Sequence, residues 1–127
     1  MSRRIPLLLL LVTAAALAGC VTDNRPAESA CAAASVQLDL TLTAEALDPS
    51  DPGVCRGQEV TMVVHSQVDG VIHLHGYDEQ VDATPVSAGE DTTLEFTAAT
   101  SGQFPIELHA EDDPRGVEVG IFTVHEP

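Results

Sequence analysis

Val36-Gln37-Leu38-Asp39-Leu40-Thr41-Leu42-Thr43 decides how the rest of this chain is read. Apolar and polar residues alternate across it without a break. Successive side chains of an extended strand point to opposite faces, so this segment has one apolar face and one wet face. An amphipathic helix would instead need apolar residues three and four apart. The same habit returns downstream. Val60 to His65 is rich in β-branched residues, which suit a pleated surface. Val71 to His75, Thr92 to Ala98, Phe104 to His109 and Val117 to Val124 follow, and a short strand is expected near Gln80 to Ala83. Turn chemistry separates these segments: Asp48-Pro49-Ser50-Asp51-Pro52-Gly53, Val68-Asp69-Gly70, Gly76-Tyr77-Asp78 and Thr100-Ser101-Gly102. Pro85 to Asp91 and Glu111 to Gly116 read as loops. Seven or eight short strands with turns between them predict an all-β sandwich or small barrel.

The first residues have a different character. Arg3 and Arg4 precede an apolar run from Ile5 to Leu17, which ends in Leu17-Ala18-Gly19-Cys20. The run is short for a bilayer span. A basic start, an apolar stretch and small residues before a cysteine are the features of a cleavable bacterial lipoprotein signal. Residues 1–19 are therefore expected to be removed, and Cys20 to carry a diacylglycerol. Residues 20–30 are polar and aperiodic, and read as a tether. Residues 31–127 form one small domain. The expected location is extracytoplasmic, on the membrane of the bacterial cell envelope, held by the lipid on Cys20.

Charge narrows the partners. The whole chain carries a formal charge of −15, and loss of Arg3 and Arg4 with the signal takes it to −17. No lysine is present. Such a surface repels nucleic acid and anionic lipid headgroups, so no nucleic-acid partner is expected. Only Tyr77, Phe96, Phe104 and Phe122 are aromatic, which argues against base- or sugar-stacking surfaces.

Lipidation of Cys20 leaves Cys31 and Cys55 as a pair. An exported chain meets an oxidising compartment, so a Cys31–Cys55 disulfide is expected.

The remaining chemistry lies in five histidines: His65, His73, His75, His109 and His125. His73 and His75 are two apart on an expected strand and share a face. Imidazole is the commonest nitrogen ligand for copper and zinc. His109 ends another strand, beside Glu107 and Glu111. A metal site of His73, His75 and His109 is therefore feasible, with Asp78 or Glu111 as carboxylate partners. Strict alternation puts His109 on the face opposite Phe104, Ile106 and Leu108, so a bulge would be needed to turn it inward. No serine sits in a Gly-x-Ser-x-Gly elbow, and no catalytic residue is assigned.

Several stretches together resemble a cupredoxin domain: Val71-Ile72-His73, Val81-Asp82-Ala83-Thr84-Pro85, Thr93-Leu94-Glu95-Phe96, Ser101-Gly102-Gln103-Phe104, and Gly116 with Gly120-Ile121-Phe122-Thr123-Val124. The segment is similar to the copper domain of cytochrome oxidase subunit II and to exported cupredoxin-like proteins related to iron-uptake lipoproteins. The resemblance implies a Greek-key β-sandwich and gives His73 the place of the first copper ligand. It also places a cysteine where this chain has Leu108, and often a methionine on the same loop, which this chain lacks. Type 1 copper needs the thiolate, so blue-copper electron transfer is not expected.

Two functions follow as expectations. One is a lipid-anchored protein that binds copper through histidines, with zinc second to copper, and that exchanges it with a copper donor or acceptor protein. The alternative is a metal-free cupredoxin-like interaction or accessory domain of the cell envelope. Neither is an enzyme.

Overall fold

The computed structural model describes residues 26–111 and 113–127. The signal segment, Cys20 and most of the tether lie outside the described residues. Among the described residues, one helical turn, α1 (Glu28–Cys31), precedes nine strands. These are β1 (Ser35–Leu42), β2 (Leu47–Asp48), β3 (Gly53–Cys55), β4 (Glu59–Ser66), β5 (Gly70–Leu74), β6 (Thr84–Val86), β7 (Asp91–Thr97), β8 (Gly102–Ala110) and β9 (Asp113–His125). One sheet has the order β2-β1-β4-β7 and the other β3-β9-β8-β5-β6.

The alternation of β1 is realised as expected. Leu40 and Leu42 are buried, while Asp39 and Thr41 point outward. β1 lies parallel to β4 in unbroken register, Val36 beside Val60 and Leu40 beside Val64. β4 then buries Val60, Met62 and Val64, and pairs antiparallel with β7, which contributes Leu94 and Phe96. The facing sheet supplies Ile72, Leu74, Ile106, Leu108, Phe122 and Val124. These residues meet in one core between the sheets. Truncating one of its fully buried leucines to alanine typically costs about 2–5 kcal/mol.

All four aromatic residues gather at one place. Tyr77 packs against Phe96 and Phe104 at ring-centroid distances of 5.0 and 4.8 Å, and Phe96 against Phe122 at 5.5 Å. The Tyr77 hydroxyl donates to the Thr100 carbonyl at 3.2 Å, which lets a polar tip enter an apolar cluster.

The expected strand near Gln80–Ala83 is a turn instead. Tyr77 O accepts from the Gln80 and Val81 amides at 2.9 and 2.8 Å, and this coil drives Val81 into the core. The pairing falls slightly later, where β6 joins β5. Two further short strands, β2 and β3, flank the proline-rich turn at 48–53.

Cys31 and Cys55 are joined as a disulfide, with Cα atoms 5.3 Å apart. It pins α1 to β3. Gln58, buried beneath, reinforces the corner. Its amide nitrogen donates to the carbonyls of Ala30 and Ala33, and its carbonyl accepts from the Cys55 amide. Both ends of a buried amide are thus satisfied.

Candidate metal centre

His73, His75 and His109 come to one surface, the outer face of the five-stranded sheet. On β5, Ile72 and Leu74 point into the core, so His73 points out, and His75 follows it by the same alternation. On β8, Ile106 and Leu108 point inward, so Glu107 and His109 point out. Register brings the two strands together: His73 stands opposite Glu107, and Val71 opposite His109. No bulge is needed to gather the histidines, because His73 and His75 share the outer face with His109. A register shift does occur on the other side of β8, between Ile106 and Glu107. Ile106 pairs with Gly120 and Glu107 with Glu118, so Val119 is the extra residue. Val119 and Gly120 are consequently both buried.

The imidazoles are close. The ring centroids of His73 and His75 lie 4.1 Å apart, and those of His73 and His109 lie 6.5 Å apart. Each ring is held by a different partner. His73 Nε2 is 2.5 Å from Asp78 Oδ1. Asp78 is itself fixed by the Gly76 amide, which donates to Oδ2 at 3.1 Å. The His73 contact is the main reason the Asp78 carboxyl titrates below its usual range. His109 Nδ1 donates to the Pro114 carbonyl at 3.2 Å. His75 Nε2 is sealed from solvent and pairs with Glu107 Oε2 at 2.8 Å. His109 Nε2 is 3.4 Å from the same oxygen. The short contact with His75 holds the Glu107 carboxyl below its usual range against the cost of desolvation, and His109 and His73 add weaker attraction.

Two glycines make room for this arrangement. A Cβ on Gly116 would lie 2.7 Å from His109 Cε1, and its φ of +76° is unfavourable to any L side chain. At Gly76, with φ +84°, a Cβ would meet Phe104 at 2.6 Å. Gly76 thus allows the chain to leave β5 tightly over the aromatic cluster and bring Asp78 back to His73.

Sequence reasoning named Asp78 and Glu111 as carboxylate partners. Asp78 does meet His73. Glu111 is exposed at the turn after β8, and Glu107 is the carboxylate that lies among the rings. Its signal was the Glu107-Leu108-His109 spacing, which repeats that of His73-Leu74-His75. A cleft of about 560 Å³ opens beside His109, lined in part by Asp69, Val71, Val86, Ser87 and Glu111. Among the described residues, no group of three or more His, Cys, Asp or Glu side chains stands as a ready-made metal cage. The donors are instead in contact with one another. A set of imidazole nitrogens and a carboxylate oxygen nonetheless suits Cu(II) or Zn(II) chemically. Leu108 is buried in the core, and both described cysteines are consumed by the disulfide, so the described residues offer no thiolate.

The other two histidines are elsewhere. His125 ends β9. His65 lies on the outer face of the opposite sheet, with Nδ1 2.6 Å from Asp91 Oδ1 and Nε2 3.7 Å from Asp39 Oδ1. The hydrogen bond to Asp91 raises its pKa above 6.5, aided by attraction to both carboxylates.

No family model and no curated protein matches this chain. Solved structures of copper proteins do. A multicopper oxidase, mgLAC, is 20% identical over 73% of this chain and 39% of its own, with a TM-score of 0.55. A copper binding protein solved in its apo form is 12% identical over 72% of this chain and 89% of its own, with a TM-score of 0.54. The metal binding domain of the Streptococcus pneumoniae Cu(I) exporting P-type ATPase CopA, solved with Cu(I), is 15% identical over 72% and 86%, with a TM-score of 0.50. The chain spans about two fifths of the oxidase it matches. These likenesses establish a cupredoxin-like β-sandwich.

Proposed function

We propose that this is an exported, lipid-anchored protein that binds copper on the outer face of its five-stranded sheet, through the cluster of His73, His75 and His109. The observation that carries the reading is the convergence of three imidazoles from two adjacent strands, with ring centroids 4.1 and 6.5 Å apart. The fold shared with copper proteins supports copper over zinc. The donor set supports Cu(II) held by nitrogen and oxygen, without the intense blue of a copper–thiolate bond. The protein is then a holder or carrier of copper, exchanging it with a donor or acceptor protein, and not an enzyme.

Titration of the full chain with Cu(II) is expected to show one site and a weakly coloured, tetragonal spectrum. Replacing all three histidines by alanine should remove that site. Binding no tighter than to the triple variant would overturn the reading. The anchor is tested separately. Cys20→Ser should release the protein from the membrane fraction and block processing, since the diacylglycerol supplies the two acyl chains that stable attachment needs.

A further inference from the structure

We propose that the first half of β1 is a self-association edge, where β1 of a second copy of this chain adds antiparallel about a two-fold axis at Gln37. The pairing joins the four-stranded sheets of the two copies and leaves the histidine face, which belongs to the other sheet, open.

One side of β1 is unfilled. Toward β4, Ala34 O accepts from the Glu59 amide at 3.0 Å and Leu42 O from the Gln67 amide at 2.9 Å, so the even-numbered residues serve that pairing. Ser35, Gln37, Asp39 and Thr41 direct their backbone groups the other way. β2 meets Thr41 and Leu42 and goes no further. Among the described residues, no strand lies beside Ser35, Gln37 and Asp39 on that side. Burial follows the same line. Leu40 and Leu42 are buried, whereas Val36 and Leu38, on the same inward face, are only half-buried. Unpaired amides and carbonyls beside half-covered apolar side chains form a template for another strand. The far edge of the sheet is guarded. At β7, the Gln80 side chain donates to Thr97 O and accepts from the Thr97 amide, and Leu94 and Phe96 are already buried.

The residues of β1 favour its own copy as the occupant. With Gln37 opposite Gln37 of the second copy, Ser35 faces Asp39, and every open amide and carbonyl from Ser35 to Asp39 finds a partner. On the inward face Val36 meets Leu38. On the outward face Asp39 meets a hydroxyl instead of another carboxylate, and like charges directly opposite are the pairs that destabilise a sheet. The register is narrowly set. A shift of the axis toward the carboxyl end brings Ser35 or Gln37 against Thr41, which β2 already holds. A shift toward the amino end carries Asp39 past Ser35, where the chain turns at 32–34. Asp39 is also partly neutralised: the Gln37 amide donates to both of its oxygens at 3.2 Å, and His65 Nε2 is 3.7 Å away. The formal charge of −15 opposes the approach of two copies, so the pair tightens as salt rises.

The test places single cysteines on β1 of the full chain and treats them with a short bis-maleimide, which leaves the Cys31–Cys55 disulfide intact, with the unaltered chain as baseline. Gln37→Cys lies on the axis and should give covalent dimers. Ser35→Cys and Asp39→Cys, each alone, should crosslink far less, because like positions then stand roughly 14 Å apart along the strand. The two variants mixed should crosslink efficiently. Glu95→Cys, on the β7 edge, should stay monomeric. In sedimentation of the purified chain, the dimer fraction should rise with salt. Gln37→Pro should weaken dimerisation at least about tenfold, because it removes one outward donor from each copy and none of the bonds to β4. Should that variant fail to fold, the cysteine pattern decides. Crosslinking that is equal at Gln37→Cys and Glu95→Cys, that peaks away from Gln37, or that captures a different protein in place of the second copy overturns the proposal. A chain that is monomeric at every salt concentration overturns it too.

Discussion

The two outer faces of the sandwich use the same materials to different ends. On the four-stranded sheet one histidine, His65, lies between two carboxylates, Asp91 and Asp39. Acid outnumbers base there, and the hydrogen bond to Asp91, with attraction to both carboxylates, raises the His65 pKa. On the five-stranded sheet three imidazoles stand near Glu107, with Asp78 taken up by His73. Imidazoles outnumber carboxylates there. One face has carboxylates in excess and the other has imidazoles in excess. Neither difference lies in the strand pattern. It lies in which residue types register places side by side.

The largest expected effect tests whether both faces belong to one cooperative unit. The disulfide ties the start of the domain to β3, which pairs with β9 in the sheet that carries the histidine face. A Cys31→Ser/Cys55→Ser protein should lose roughly 3 kcal/mol of stability in denaturant melts, through the freed unfolded chain. Signals from His65 and from His109 should disappear together in that melt. Separate transitions for the two faces would show two independent units.

A smaller effect should be confined to the histidine face. Gly116→Ala puts a Cβ against the His109 ring and an L side chain at φ +76°. It should cost about 1–2 kcal/mol of stability, and it should lower Cu(II) affinity while leaving the His65 titration unchanged. Unaltered copper affinity would mean that the His109 ring does not need its present seat.

The smallest effect belongs to the opposite face. The folded pKa of His65 is raised above 6.5 by Asp91 and Asp39. Its contribution to stability is therefore fully present below about pH 6.5, the unfolded value, and fades as pH rises through the folded value. The difference in Tm between wild type and His65→Gln should shrink from pH 6 to pH 8, and copper affinity should not change. The pair is solvent-exposed, so the difference should be modest. A gap that widened with pH would contradict the ion pair.

How far the sequence could be read follows from the same comparison. Strands of five residues or more announce themselves by alternation, and β1, β4, β5, β7, β8 and β9 were legible for that reason. β2, β3 and β6 have two or three residues each and carry no period. They exist because neighbouring strands offer them partners. Val81 misled in the opposite way: one apolar residue among polar ones suggested a strand, whereas a coil at Tyr77 delivers it to the core. At the candidate site, the shared face of His73 and His75 was legible from spacing alone. The importance of Glu107 was not, because it depends on Glu107 facing His73 across two strands thirty-odd residues apart. The same holds for the seat of the His109 ring, whose Nδ1 meets a carbonyl five residues on, beyond the turn.

The parallel pairing of β3 with β9 has a consequence for the time course of folding. Among the described residues, β3 sits at the edge of its sheet with β9 as its one strand neighbour. Gly53 pairs with Thr123 and Cys55 with His125, so the contact closes a loop of about seventy residues. Such non-local closures are costly in chain entropy and slow to form. A chain emerging amino-terminus first cannot complete this edge until Thr123 to His125 are out. The domain therefore stays unfinished until β9 has emerged, and arrival of that strand acts as the trigger for its final assembly.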